Sequence, residues 1–239
     1  VRGRDQDEAD RLFNLGDVEV KRDGAALRIS ARYSDRSDRE KSIFAMLVQR
    51  YAGLEINLKI SVPPETAVEV VTASGDVELS GMRAAALITS ASGDVEAVGV
   101  GDLKVDVSSG DISVSGVSGT AALSSSSGYI EASNVKGMMT VRSSSGELVL
   151  SELAGDLAAA TVSGDVTVTG VGNVEYSGTS GSAAFYAVRG AVEAIAASGD
   201  IEVEATPEAA ANYEMRTSSG DVLLRFDRPL KGGFALKVR

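Results

Sequence analysis

The chain has neither cysteine nor histidine, and these two gaps remove most of the familiar catalytic chemistries. Without thiols there is no disulfide, no thiolate zinc site and no cysteine nucleophile, and without imidazole there is no histidine-based triad. Cysteine usage therefore leaves the redox compartment unread, although such a chain is at ease in an oxidising space. Tryptophan is also absent and aromatics make up only 5% of the residues. The core is therefore expected to be thin and built from small and β-branched side chains rather than large rings. Four prolines in 239 residues argue against a proline-rich disordered tail. No run of 18 apolar residues occurs, so no membrane span is expected. The first residue is Val1 rather than Met, which leads us to expect that a leader or anchor was removed or left out.

What the chain does have is a period. A Ser-Gly-Asp signature recurs with its glycine at Gly75, Gly93, Gly110, Gly128, Gly146, Gly164, Gly181, Gly199 and Gly220, at gaps of 18, 17, 18, 18, 18, 17, 18 and 21 residues. Repetition at a fixed period means near-identical units stacked on one another.

Counted from each signature glycine, positions +2 and +4 are apolar, as in Val77 and Leu79, Ile112 and Val114, or Leu148 and Leu150. An apolar residue returns at +7 (Met82, Val100, Val117, Val135, Leu153, Val171, Val188), and glycine is frequent at +9. A second alternating run follows at +11 and +13, as in Ala86 and Ile88, Met139 and Val141, or Val192 and Ala194. In the two 17-residue repeats this second run slips by one, as a single deletion in the intervening turn would produce. Alternation of this kind is a strand with one buried face. Each repeat therefore reads as strand, glycine-rich turn, strand and signature turn, and no repeat can bury its apolar face alone. The expected architecture is an all-β solenoid of about nine rungs of ~18 residues, on the order of 40 Å long.

The whole chain reads as a single domain, residues 1–239. Residues 1–62 are expected to cap the first rung, 63–224 to form the solenoid and 225–239 to supply a closing strand. Within the cap, residues 12–33 read as a hairpin turning at Asp23-Gly24, and Leu54, Ile56, Leu58, Ile60 and Val62 as a strand ended by Pro63-Pro64. A short helical insertion is expected over 37–51, where Ser37 and Glu40 form a capping box. On such a helix Ile43, Leu47 and Tyr51 fall on one face, with Phe44 and Val48 beside them. This face reads either as a cover for the open core or as a surface for a partner chain or lipid headgroups.

The signature has two readings. The glycine suits a corner needing positive φ, with Ser and Asp hydrogen-bonding the corner's own backbone. Alternatively Asp76, Asp94, Asp111, Asp165, Asp200 and Asp221 form a column of carboxylates able to hold Ca²⁺ between rungs, although Tyr129, Glu147 and Ser182 interrupt it. Charge is uneven. Residues 1–60 carry 12 Lys/Arg against 11 Asp/Glu, residues 61–224 carry 6 against 22, and residues 225–239 carry 5 against 1. An acidic body repels a phosphate backbone, so nucleic acid is not an expected partner.

These features together resemble a bacterial family of adhesin-named β-strand-repeat proteins, also called toastrack domains. The resemblance rests on Gly16 to Val20, the Val62-Pro63-Pro64 step, and TASGDVELSG from Thr72 to Gly81. The further copies SASGDVEAVGV, VSSGDISVSGV, TVSGDVTVTGV and TSSGDVLLRF extend it over nearly the whole chain. The resemblance implies a right-handed β-solenoid on the bacterial cell envelope, hence an extracytoplasmic location in the periplasm, on the outer membrane surface or secreted. It brings no catalytic residues.

The function expected is a non-enzymatic adhesin or scaffold surface that meets protein or glycan at the envelope, with end-to-end self-association open to it and no cofactor beyond the Ca²⁺ reading. The alternative is a ligand- or envelope-stress-sensing domain of a membrane-associated system. A polysaccharide-active β-helix enzyme is disfavoured, because few Lys or Arg lie in the body and its negative charge repels acidic sugars.

Overall fold

A computed structural model describes residues 16–23, 26–33, 61–206, 211–227 and 235–238; for 16–23, 26–33 and 235–238 it describes the backbone only. All regular structure in these residues is β. In chain order the strands are β1 (Gly16–Asp23), β2 (Ala26–Tyr33), β3 (Ala67–Thr72), β4 (Val77–Ser80), β5 (Ala86–Ser92), β6 (Val95–Val98) and β7 (Leu103–Ser109). They continue as β8 (Ile112–Val117), β9 (Ala121–Ser127), β10 (Ile130–Val135), β11 (Met139–Ser145), β12 (Leu148–Leu153), β13 (Leu157–Ser163) and β14 (Val166–Val171). The last are β15 (Val174–Ser180), β16 (Ala183–Val188), β17 (Val192–Ala196), β18 (Ile201–Ala205), β19 (Asn212–Thr217), β20 (Val222–Phe226) and β21 (Ala235–Val238).

From β3 onward the chain alternates between two sheets. The longer has 12 strands in the order β1-β2-β3-β5-β7-β9-β11-β13-β15-β17-β19-β21, and the shorter has nine in the order β20-β18-β16-β14-β12-β10-β8-β6-β4. Every described pairing is parallel except β1 with β2. This is the solenoid of about nine turns that the 18-residue period predicts.

The register carries the core. Ile112, Ile130, Leu148 and Val166 stand side by side in the shorter sheet, and Leu123, Val141 and Ala159 do so in the longer. All of these are buried, as are the +7 residues from Met82 to Val188. Burying such aliphatic side chains contributes roughly 1.5–3 kcal/mol each. Few large rings are needed. Tyr176 and Phe185 meet edge-on at 5.5 Å, and Tyr213 and Phe226 at 5.3 Å, both pairs in the later rungs.

The short repeats lose their residue in the turn between the sheets. Gly101 and Asp102 connect Val100 to β7 where Ser118, Gly119 and Thr120 connect Val117 to β9, and the ladder resumes with Ala86 beside Leu103 and Leu103 beside Ala121. The 21-residue gap places its extra residues between Ala205 and Asn212, after which Tyr213 pairs with Val192 and Met215 with Ala194. Tyr213 and Met215 are buried, an inward pair that the insertion hides in the sequence.

A second conformational ladder lies at +6. Gly81, Gly99, Gly116 and Gly170 have φ between 65° and 73°, and the equivalent Asn134, Glu152 and Ala187 have φ of 53–55°. The positive φ breaks the strict alternation of the strand, which lets the +7 side chain turn inward after +2 and +4. It also explains why the apolar spacing is 2, 4, 7 rather than 2, 4, 6. For Ala187 the left-handed conformation costs about 1–2 kcal/mol.

Two expectations for the cap are corrected. Asp23 is the last residue of β1, paired with Ala26, so it belongs to the ladder rather than to the turn. Val62 lies outside any strand, although it packs against the core, because the step into β3 runs through Pro63 and Pro64, which cannot donate to a ladder. The rest of that segment, Leu54 to Ile60, lies outside the described residues, as does the helix expected over 37–51. The expected closing strand is present as β21, which pairs in parallel with β19.

Two substitutions separate the roles of these backbone positions. Gly146 has φ of 127°, and a Cβ there would stand 1.9 Å from the Gly128 carbonyl oxygen. Gly146→Ala is expected to destabilise by about 2 kcal/mol or more, whereas Ala187→Gly should stabilise by about 1 kcal/mol. Urea unfolding midpoints of the two variants check both signs.

Candidate functional site

The signature corners are where polar side chains are most regularly placed. Their glycines have φ of 107–139°, and from Gly93 onward a Cβ on each would come within 2.4 Å of the carbonyl oxygen of the preceding corner's glycine. Glycine is required here twice over, by dihedral and by approach. The glycine N–H groups donate to the serine carbonyl of the next rung, as from Gly75 to Ser92 at 3.1 Å and from Gly199 to Ser219 at 2.8 Å.

The aspartates do line up, and their work is between rungs. Oδ1 of Asp76 accepts the N–H of Asp94 at 2.9 Å, and Oδ1 of Asp94 accepts that of Asp111 at 2.9 Å. Asp111 accepts from Tyr129 at 2.8 Å, Asp165 from Ser182 at 2.9 Å, and Asp200 from Asp221 at 2.8 Å. This corrects the expectation that Asp satisfies its own corner's backbone. With strands about 4.8 Å apart, an aspartate reaches the equivalent N–H one rung away. Tyr129 and Ser182 interrupt the column as carboxylates yet still donate their backbone N–H to it.

The serine side chains behave locally, two residues before the signature serine. Ser90, Ser125 and Ser143 are buried at the end of the longer sheet's strands, and each hydroxyl donates to the carbonyl two residues on, at 3.1–3.3 Å. In the same row Thr161 instead meets the Tyr176 hydroxyl at 3.1 Å. Gly178 leaves room for that ring, since a Cβ there would stand 2.2 Å from the tyrosine oxygen. Burial raises the Tyr176 hydroxyl above its ordinary range, partly offset by the bond to Thr161.

A second Asx ladder runs along the opposite turn. Oδ1 of Asp102 accepts both the N–H and the hydroxyl of Thr120, at 2.8 and 3.0 Å. Asp156 accepts the N–H of Asn173 at 2.9 Å and its side-chain amide at 3.0 Å, and Asn173 then accepts the N–H of Ala191 at 2.8 Å. Sequence reading missed this ladder because the turn varies in length, which hides the shared phase of Asp102, Asp156 and Asn173. The glycines of this turn are close-approach residues with ordinary φ: a Cβ on Gly155 would lie 2.3 Å from the Gly137 oxygen.

Among the described residues nothing packs over the outer face of either sheet. On the longer sheet a groove of about 440 Å³ runs past Met138 and Asp156, with Glu175, Glu193 and Glu214 on adjacent strands in register. Glu214 also pairs with Arg216 on its own strand. On the shorter sheet Ser115, Ser133, Ser151 and Thr169 form one in-register outward row. Among the described residues no three or more carboxylates converge to hold a metal ion, and the six signature aspartates stand as a line rather than a cage. The apolar surface expected from Ile43, Phe44, Leu47, Val48 and Tyr51 lies outside the described residues.

Two outcomes follow. The backbone N–H of Thr120 first, and then its hydroxyl, hold Asp102 below the usual carboxylate range, against a small opposing effect of desolvation. A depressed folded pKa contributes stability that is present above the unfolded value and is lost as pH falls through the folded one. The stability difference between wild type and Asp102→Asn should therefore be constant near neutrality and shrink below about pH 4, read from urea midpoints across pH. Since five of the six signature carboxylates already accept a backbone N–H and the six do not converge, millimolar Ca²⁺ should leave the melting midpoint unchanged.

Among the described residues no helix is long and apolar enough to cross a membrane. No curated protein and no solved structure matches the chain. The family model Toastrack DUF4097, a domain of unknown function, matches residues 17–185, which takes in the β1–β2 hairpin and the rungs as far as Phe185 in β16. With more than half of its length matched, the chain belongs to the toastrack family.

Proposed function

We propose that this chain is a non-enzymatic scaffold or adhesin of the bacterial cell envelope, located outside the cytoplasm, which meets protein or glycan along its sheet faces. The observation that carries the reading is the in-register outward rows, such as Ser115, Ser133, Ser151 and Thr169. Such rows repeat one chemical group at a strand spacing of about 4.8 Å over a surface anchored at both edges by hydrogen-bonded corners. A repetitive surface of this kind suits an extended, repetitive ligand. Many weak contacts add along one axis, so avidity rather than a deep pocket supplies the affinity. The acidic body favours neutral or cationic polymers over acidic ones.

Purified protein is expected to sediment with isolated envelope fragments and to release no reducing sugar from them. Ser133→Arg combined with Ser151→Arg should weaken that binding by about tenfold or more, with an unchanged circular dichroism spectrum. Measurable turnover of an envelope polysaccharide, or binding indifferent to changes on both sheet faces, would overturn the reading.

A further inference from the structure

Among the described residues the two sheets end at four strand edges, and one of them differs from the rest. The shorter sheet ends at β4 and β20, four and five residues long, and the longer ends at β21, four residues, and at β1, eight residues. Among the described residues β1 pairs only with β2, and it does so antiparallel. Edge strands expose a row of backbone donors and acceptors that another chain can extend.

The sequence of β1, Gly-Asp-Val-Glu-Val-Lys-Arg-Asp, alternates apolar residues with charges of both signs over residues 17–21. Val20 is in register with Ile29, Ile29 with Val70, and Val70 with the buried Ile88. Val18 and Val20 therefore occupy core-face positions, while Asp17, Glu19 and Lys21 occupy the other face. We propose that a second copy of this chain docks antiparallel along β1 about a two-fold axis at Glu19. That register sets Asp17 opposite the partner's Lys21, twice by symmetry, and Val18 opposite the partner's Val20. Glu19 meets its own counterpart, with the partner's Asp17 and the partner's Lys21 on its two diagonals, so the two Asp17–Lys21 pairs and the valines carry the register.

Neighbouring registers fit less well. A shift of one residue sets valine positions against charged ones. A shift of two one way sets Asp17 opposite the partner's Glu19; the other way it pairs Glu19 with the partner's Lys21 but sets Asp17 opposite the partner's Asp23 and Val18 opposite the partner's Arg22, twice each. Charges on an edge ordinarily guard it against stray pairing; here they reject other sequences and fit their own reverse. Two-fold closure limits the assembly to a dimer, with the two solenoids pointing away from each other.

Sedimentation equilibrium of the whole chain over a concentration series tests this. Wild type is expected to dimerise, Lys21→Asp to weaken the dimer by about tenfold or more, and Asp17→Lys with Lys21→Asp to restore it, since the swapped charges again face each other. Glu19→Cys should form an oxidised, disulfide-linked dimer, read against a chain with no native cysteine, while Ser80→Cys on the β4 edge should not. Circular dichroism shows whether each variant is folded. A wild type that stays monomeric at the highest concentration overturns the proposal. So does a dimer indifferent to Lys21→Asp, a charge swap that folds without restoring dimerisation, or Ser80→Cys linking as readily as Glu19→Cys.

Discussion

Everything in this molecule depends on how closely one coil can lie on the next. Parallel strands hydrogen-bond only at a spacing of about 4.8 Å, and the corners joining them must stack at the same distance. At that distance there is no room for a side chain between one corner's glycine and the carbonyl of the corner before it. The 1.9 Å that a Cβ on Gly164 would leave to the Gly146 oxygen expresses this limit. With the corners able to nest, the ladders form, and with the ladders in register the aliphatic residues of successive rungs meet inside. The core follows from the corner.

The polar residues of the corner then resolve what nesting leaves over. A corner's N–H groups face the adjacent coil rather than water, and a buried or half-buried amide without a partner is costly. Asp76, Asp94, Asp111, Asp165 and Asp200 each take one such donor from the following rung, while the buried serine row takes up a carbonyl of its own coil. The acidity of the body is thus partly a by-product of stacking. A carboxylate at most corners, six aspartates and Glu147, places negative charge along a line whether or not any ligand uses it.

The fold was largely legible because a solenoid writes its register once per rung. Positions +2, +4, +7, +11 and +13 are inward as expected, and the one-residue slip in the short repeats does fall in the turn. What stayed hidden had physical causes. The +6 conformation is carried by glycine in four rungs but by Asn134, Glu152 and Ala187 in others, so no single residue type marks it. The inward serines lie within runs such as Ser124 to Ser127, where composition cannot say which hydroxyl faces in. The Asp102–Thr120 and Asp156–Asn173 bonds join residues whose phase shifts with turn length. For the site, sequence could align the signature aspartates but not show that their partners are backbone amides one rung away.

The turn between the sheets has a further consequence. It holds two residues after Val100, three after Val117, and more between Ala205 and Asn212, yet the strands on either side return to the same pairing. It works as a slack joint, absorbing length changes before they reach the ladders. Related chains are therefore free to drift in length along this one seam while their strands stay in phase. Any feature such a chain acquires by insertion would emerge on that side of the molecule, in a column parallel to the axis.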